Sequence, residues 1–246
     1  GVVWSDGVEL TAADRARAAV HGRNAARWDL KSIPYSTRIH SDRGEDRIRK
    51  PCLTNPDHME PWEKGLAERA SGLAPYGPVA YTLGDENYLI RGQHDVCISP
   101  TCLAGFRDEL KSRYGSLAAL NKAWHRDYAD WNKVVPATLE EVKETPEHWP
   151  RWADHRMYMD RVFTAAHAAG RDAIRRGDPQ ARVGFDGVFS LDSYHGYNFY
   201  ELCRTCNLNE VYASRFWQLE YIRCWHQPDS IRGAWYNRIG NRGETA

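Results

Sequence analysis

Long apolar runs are missing from this chain of 246 residues. None approaches the ~20 consecutive apolar residues that cross a bilayer as a helix, so no membrane partner is expected. Net charge is missing too. The 33 basic residues balance 33 acidic ones, which gives no electrostatic footprint for a nucleic-acid partner. There is no Gly-x-Ser-x-Gly elbow, no phosphate-cradling glycine loop and no His-Glu-x-x-His pair. Those absences argue against a serine hydrolase, a nucleotide enzyme and a zincin in turn. No internal repeat or low-complexity linker divides the chain. Methionine is scarce, with three in all, and the first is Met59. With Gly1 in front and no signal peptide, the chain reads as a fragment or processed piece, and no compartment can be assigned.

Aromatic residues are plentiful, with 10 Trp and 13 Tyr. Rings of this kind stack on sugar faces, although packing in a core or interface is the default reading for any single Trp. The 42% hydrophobic and 27% charged residues describe a globular chain. At this length it can bury one sizeable core, and α/β barrels reach this size as one domain. Six cysteines permit disulfides, but a chain this long does not need them.

Hydrophobic periodicity predicts alternating elements. A helix over 11–28, with Thr11 and Asp14 as its cap, precedes a short strand from Ser32 to Ile39. A charged, solvated loop from Ser41 to Lys50 follows. Met59, Trp62, Leu66, Ala70 and Leu73 recur at spacings of three or four and predict a helix over 59–73. The next strand is Val79 to Leu83. Helices are predicted over 105–114 and 117–124, and an elaborate loop over 125–153. The clearest helix covers 154–176, with one stripe through Tyr158, Val162, Ala166, Ala169 and Ala173, stopped by Gly177-Asp178-Pro179. Strand Arg182 to Phe185, helix Asn198 to Cys206, strand Glu210 to Ala213, helix Phe216 to Trp225 and strand Ile231 to Tyr236 complete the series. Strand–helix alternation of this kind argues for parallel βα units. Five or six units are too few to close eight, so the expected fold is a (β/α)8 TIM barrel, incomplete in this chain. Residues 1–246 read as one truncated barrel domain.

Asp85, Glu86 and Asn87 end the apolar run that reaches Leu83. In parallel barrels the C-terminal strand ends carry the chemistry, so Glu86 is the candidate catalytic carboxylate. By position alone a helix-start or loop carboxylate is the plainer reading. Arg38 ends an earlier strand beside His40, and Asp186 ends the strand after Glu86. Asp186 suits a sugar hydroxyl or a cap on the following segment, and Arg38 by itself reads as a surface residue. Trp235 and Tyr236 end the last strand and suit a stacking platform. Cys203-x-x-Cys206 falls on a predicted helix, where buried thiols are favoured over a redox or metal motif. Glu220 reads as a surface residue.

The run Phe106-Arg107-Asp108-Glu109-Leu110, then Tyr114-Gly115 through Leu120-Asn121 to Trp124, then Trp131, completes a pattern that starts with Asp85-Glu86-Asn87, Cys97 and Cys102. Over residues 79–131 it resembles family 42 of the glycoside hydrolases, the β-galactosidase-like enzymes of clan A. The resemblance implies a barrel that hydrolyses β-linked sugars with retention, and hence a carbohydrate substrate. It places Glu86 at the end of the fourth strand as general acid/base, and Tyr236 near the end of the seventh. Clan members usually carry Asn before the acid/base Glu, contacting the sugar 2-hydroxyl; Asp85 stands there in this chain. The nucleophile is expected from the seventh strand's end, where Glu244 is the only carboxylate that follows Tyr236. The alternatives are a nucleophile beyond this sequence and a glycan-binding barrel that has lost it. An early Arg such as Arg38 often contacts the nucleophile or sugar in the clan. Family members often bind a structural zinc through cysteines, which implies Cys52, Cys97 and Cys102 as ligands, with His94, His58 or a non-Cys group as the fourth. Free thiols or a disulfide are the alternatives. No cofactor is needed for catalysis, and a homo-oligomer is a further expectation.

Overall fold

A computed structural model describes residues 2–5, 12–42, 46–188, 193–212 and 216–235. Strands β1 (Val2–Ser5) and β2 (Lys31–Pro34) pair in parallel, flanking helix α1 (Ala12–Arg27). Strands β3 (Tyr81–Asn87), β4 (Val183–Val188), β5 (Leu208–Tyr212) and β6 (Ile231–Trp235) form a second parallel sheet in that order. A parallel bridge from Tyr35 to Thr82 and the Ser36 N–H donated to Thr82 O at 2.9 Å join β2 to β3. The result is a wall of six parallel strands in chain order, the expected α/β class, with no closure among the described residues.

Helices follow their capping signals. Pro56 opens α2 (Pro56–Leu73) behind Asn55, whose side chain accepts the Asp57 N–H, so the helix starts three residues before the expected 59. Ser99 caps α3 (Pro100–Tyr114) and Ser116 caps α4 (Leu117–Trp124) in the same way. Thr11, expected as the cap of α1, lies outside the described residues.

The predicted loop over 125–153 is corrected. It holds 3-10 turns at 131–133 and 146–148, and helix α5 (Leu139–Glu144), closed by a capping box between Thr138 and Glu141. Helix α6 then starts at Trp149 and runs to Gly177. Its first turns escaped the periodic reading because the buried face is polar. Trp152 Nε1 donates to Asp95 Oδ1 at 2.9 Å, His155 meets Cys97 O at 3.1 Å, and Arg156 donates to Val96 O. His155 and Arg156 meet carbonyls of the 95–97 loop and Trp152 meets the Asp95 carboxylate, so charged letters mark an inward face.

Two apolar clusters hold the layers together. Phe106, Trp124, Tyr158, Phe163 and Phe185 pack α3, α4 and α6 on the sheet, while Leu66, Leu73, Leu83, Ile174 and Val183 join α2, α6 and the sheet. Helices α7 (Phe199–Thr205) and α8 (Phe216–Trp225) complete the outer layer. Cys203 and Cys206 are fully buried free thiols that burial pushes up to about 12. Glu220 is exposed and pairs with Arg223 on its own helix.

Candidate active site

Strand β3 does not stop at Leu83 as expected. It runs on to Asn87, with a register shift against β4 between Thr82 and Asp85. Gly84 has φ 126°, and a Cβ there would stand 2.6 Å from Thr37 O, so only glycine fits. Glu86 has φ 50°, a left-handed conformation unusual for a side chain of its size. In a regular strand successive side chains point to opposite faces. This kink breaks the alternation, and both carboxyls reach the same group: the Tyr212 hydroxyl at the end of β5 lies 2.9 Å from Asp85 Oδ1 and 2.9 Å from Glu86 Oε1.

Cations face the other oxygen of Glu86. Arg38 Nη2 is 3.3 Å and Arg91 Nη2 3.8 Å from Oε2. Arg38 and Glu86 side chains are 35% and 31% exposed, so this face of the cluster opens to solvent. The Asp85 N–H donates to Tyr35 Oη at 2.9 Å. Burial raises the Asp85 carboxyl, the Glu86 charge adds to the shift, and Tyr212 and Arg38 oppose it.

Asp186 sits beneath the pair rather than on the open face expected of a sugar contact. It is 0% exposed. One oxygen accepts the Thr82 hydroxyl and the other has no partner among the described residues. Burial pushes its carboxyl up to about 7, opposed by Thr82 and reinforced by Asp85 and Glu210. Burial also raises Glu210 on β5. A row of inward carboxyls therefore runs across β3, β4 and β5. Trp235 ends β6 in register with Tyr212; its side chain, Tyr236 and Glu244 lie outside the described residues.

Asn87 locks the site from behind. Its Oδ1 accepts the Ile39 N–H at 2.9 Å, and its Nδ2 donates to Leu83 O at 3.2 Å and His167 Nε2 at 3.0 Å. His167 Nδ1 meets Phe163 O at 2.9 Å, which fixes Nε2 as the acceptor, and burial holds this imidazole neutral at about 4. Asn87 thus ties the Arg38 segment, β3 and α6 together. A cavity of about 180 Å³ opens beside Arg38, lined by Thr37, His40, His58, Met59 and Trp62. It is smaller than the ~300 Å³ at which ligand pockets begin, and Glu86 does not line it.

The three expected cysteines converge. Cys52 Sγ is 3.7 Å from Cys102 Sγ and 3.9 Å from Cys97 Sγ, and all three lie within 4.8 Å of one another. With Zn–S near 2.3 Å, a tetrahedral site separates its sulfurs by about 3.8 Å, so the thiols fit three corners of such a site. No disulfide links them. Neither His58 nor His94 joins the group among the described residues. Hydroxyls stand at the remaining side: Ser99 Oγ 3.1 Å and Thr54 Oγ1 3.3 Å from Cys52 Sγ, with Thr54 3.1 Å from Cys102 Sγ. Hydrogen bonds from Cys102 and Cys97 hold the Cys52 thiol well below its usual range, while the same contacts push Cys102 up. One thiolate is thereby favoured, as a metal ligand requires.

The family model of glycoside hydrolase family 42, described as beta-galactosidase, matches residues 79–207, over half of the chain. The chain belongs to glycoside hydrolase family 42. The match reaches well past the 79–131 stretch and takes in α6, β4 and α7. This family 42 chain is 28% identical over 159 residues to the beta-galactosidase BgaA of a Thermus species, covering 59% of this chain and 24% of that protein. It is 29% identical over 161 residues to a beta-galactosidase of Thermus thermophilus, with the same coverage. The chain therefore spans about a quarter of the length of these relatives. Among solved structures, the beta-galactosidase of the psychrophilic Marinomonas ef1 aligns with a TM-score of 0.67 at 15% identity, over 89% of this chain and 37% of that one. The catalytic domain of a Paenibacillus polymyxa beta-amylase aligns at 0.60 and 12%, over 95% of this chain and 83% of that domain. At such identities the alignments speak for the fold alone.

Sequence reading missed Tyr212, Tyr35 and Asn87. Tyr212 was findable, because it ends a strand on the same side as Glu86. Tyr35 and Asn87 carry no signal of their own: each works through contacts that only the fold creates.

Proposed function

We propose that the full-length protein is a retaining β-glycosidase of the β-galactosidase type, with Glu86 as general acid/base. The observation that carries this reading is the placement of Glu86. It stands at the C-terminal end of a parallel strand, on an open face, within a family 42 sequence match. In the first step Glu86 protonates the glycosidic oxygen as a second carboxylate attacks the anomeric carbon. In the second step it takes a proton from the water that releases the sugar. The second carboxylate belongs about 5–5.5 Å away. If β3 is the fourth barrel strand, β6 is the seventh, and the nucleophile follows Trp235. Glu244 is the candidate within this sequence.

Arg38 and Asp85 are the proposed contacts for sugar hydroxyls, and Trp235 and Tyr236 the stacking platform. Asp186, being buried, supports the floor instead. Cys52, Cys97 and Cys102 are the proposed ligands of a structural zinc, which would fasten the segment after β2 to the start of α3 and take no part in turnover.

A second reading rests on Arg38 and Arg91. Both pair with one oxygen of Glu86, and an ion-paired carboxylate suits a barrel that binds glycans without cutting them. Glu86→Gln separates the two readings: hydrolysis of an aryl β-galactoside by the full-length protein should fall roughly 10²–10⁴-fold with binding retained. Calorimetric sugar binding by the unmodified full-length protein, with no turnover, supports the second.

A further inference from the structure

Glu86 holds a backbone conformation, φ 50°, that its side chain does not favour. A residue stays in such a state only where its surroundings over-determine it. In the ordinary extended region, strand alternation would send its carboxyl to the face opposite Asp85. Tyr212 would then lose one of its two carboxyl neighbours. Glu86 would also leave the open face it shares with Arg38. Whatever holds the kink therefore decides where this carboxyl points.

Asn87, the next residue, spans the kink. Its side chain is fully buried, and both amide hydrogens are used. One reaches back four residues to Leu83 O at 3.2 Å, ahead of Gly84, and the other meets His167 Nε2 at 3.0 Å. Oδ1 takes the N–H of Ile39, the neighbour of Arg38, at 2.9 Å. The Tyr197 hydroxyl donates to the Asn87 carbonyl. A flipped amide would set N–H against the Ile39 N–H and oxygen against the Leu83 carbonyl, so one orientation is allowed. His167 completes the lock. Its Nδ1–H donates to Phe163 O at 2.9 Å on α6, which leaves Nε2 as an acceptor. The ring is 0% exposed and lies against Phe163 and Phe185, with centroids 4.6 and 5.9 Å away.

We propose that Asn87 and His167 are the positioning residues of Glu86, holding its carboxyl on the open face for proton transfer to the leaving oxygen. This role rests on the reading of Glu86 as general acid/base. Both residues are buried, so they act through the backbone of the kink and not on the substrate. In the first step a bond forms between the second carboxylate and the anomeric carbon. The glycosidic C–O bond breaks, its electron pair goes to the leaving oxygen, and the Glu86 proton passes to that oxygen. The proton matters in proportion to the basicity of the leaving group. An alkoxide needs it, whereas a dinitrophenolate departs without it. A misplaced acid therefore slows alkyl glycosides and spares dinitrophenyl ones, while plain damage to the fold slows both alike.

The full-length protein is tested on an alkyl β-galactoside and on dinitrophenyl β-galactoside, comparing kcat/KM, which reports the first step. Asn87→Ala and His167→Leu should each lower it about a hundredfold on the alkyl substrate and leave the dinitrophenyl substrate nearly unchanged. The ratio of the two rates in one preparation does not depend on how much of it is folded. His167→Gln returns an acceptor oxygen to Asn87 and should recover most of the loss. Equal losses on both substrates overturn the positioning role. So does an undiminished alkyl rate, or a His167→Gln as slow as His167→Leu. Glu86→Gln in the same assay judges the reading beneath it and should show the widest split. If it shows none, Glu86 is not the acid and the positioning role falls with it. A split in Glu86→Gln with none in Asn87→Ala and His167→Leu overturns the positioning role alone.

Discussion

The segment after β2 carries Arg38 to the carboxyl pair and then Cys52 to the thiols. The segment that begins with Asp85 and Glu86 continues to Cys97 and Cys102. Two clusters are thus built on the same two stretches of chain, and they differ in closure. Around the thiols, Cys97 and Cys102 are buried and the hydroxyls of Ser99 and Thr54 line the remaining side. Around the carboxyls, Glu86 and Arg38 keep about a third of their surface in solvent. Structural metal sites are closed and reactive sites keep an open position. The contrast is the one that the proposed roles, fastening for one cluster and chemistry for the other, require, and it can be broken experimentally.

The largest effect is expected at Arg49, which connects the two. This guanidinium is 1% exposed. It donates to Leu89 O, to Pro51 O, to His40 O at 2.9 Å and to Tyr88 O at 3.1 Å, while its backbone N–H meets Cys97 Sγ at 3.4 Å. Burial lowers its pKa to about 10, still charged at neutral pH. Arg49→Ala leaves buried carbonyls unpaired and should cost about 3–5 kcal/mol in urea unfolding. Arg49→Lys should recover only part of this, because an ammonium cannot span four acceptors as a planar fork does. Damage confined to one cluster would show that the two are independent.

Asp186 sharpens the open side of the comparison. Its carboxyl rises from an ordinary 3.8 to about 7 on folding. Between those values the folded chain binds the proton and the unfolded chain does not. The stability this contributes is complete below about pH 4 and is lost as pH rises through 7. Asp186→Asn removes the ionisation. It should flatten the slope and stabilise the protein by roughly 2–4 kcal/mol at mildly alkaline pH, measured by denaturant midpoints across the range. Some slope should remain, because Asp85 and Glu210 are raised in the same direction. An unchanged slope would remove Asp186 from the buried carboxyl row.

The strand order and most helices were legible because apolar periodicity and caps such as Ser116 are local signals. The carboxyl strand was placed correctly but ended too early. Gly84 and three polar residues read as a loop, whereas a bulged strand with a left-handed Glu86 carries them onward. The start of α6 was lost for a related reason: Arg151, Asp154, His155 and Arg156 are buried among carbonyls and aromatic partners that no periodicity encodes. Convergence of Cys52 with Cys97 and Cys102 came from family resemblance; spacing along the chain alone does not predict it. Tyr212 lay in plain view at the end of β5, yet its contact with both carboxyls depends on a kink in β3, two strands earlier in the chain.

Ser99 tests the closed side with the smallest expected change. Its hydroxyl is 3.1 Å from Cys52 Sγ and accepts the Cys102 N–H at 3.1 Å, capping α3. Ser99→Cys replaces a good cap with a poor one, so the metal-free variant should lose about 1 kcal/mol. The same change offers a fourth thiolate beside three already spaced for zinc. A fourth thiolate that tightens zinc about a hundredfold adds about 2.7 kcal/mol over the parent at saturating zinc, more than the lost cap, so the loaded variant should exceed the loaded parent in Tm. The sign of the substitution should therefore reverse between chelator and zinc. A variant less stable than the parent under both conditions would mean that the thiols close upon themselves, and the fastening role would then rest on Arg49 alone.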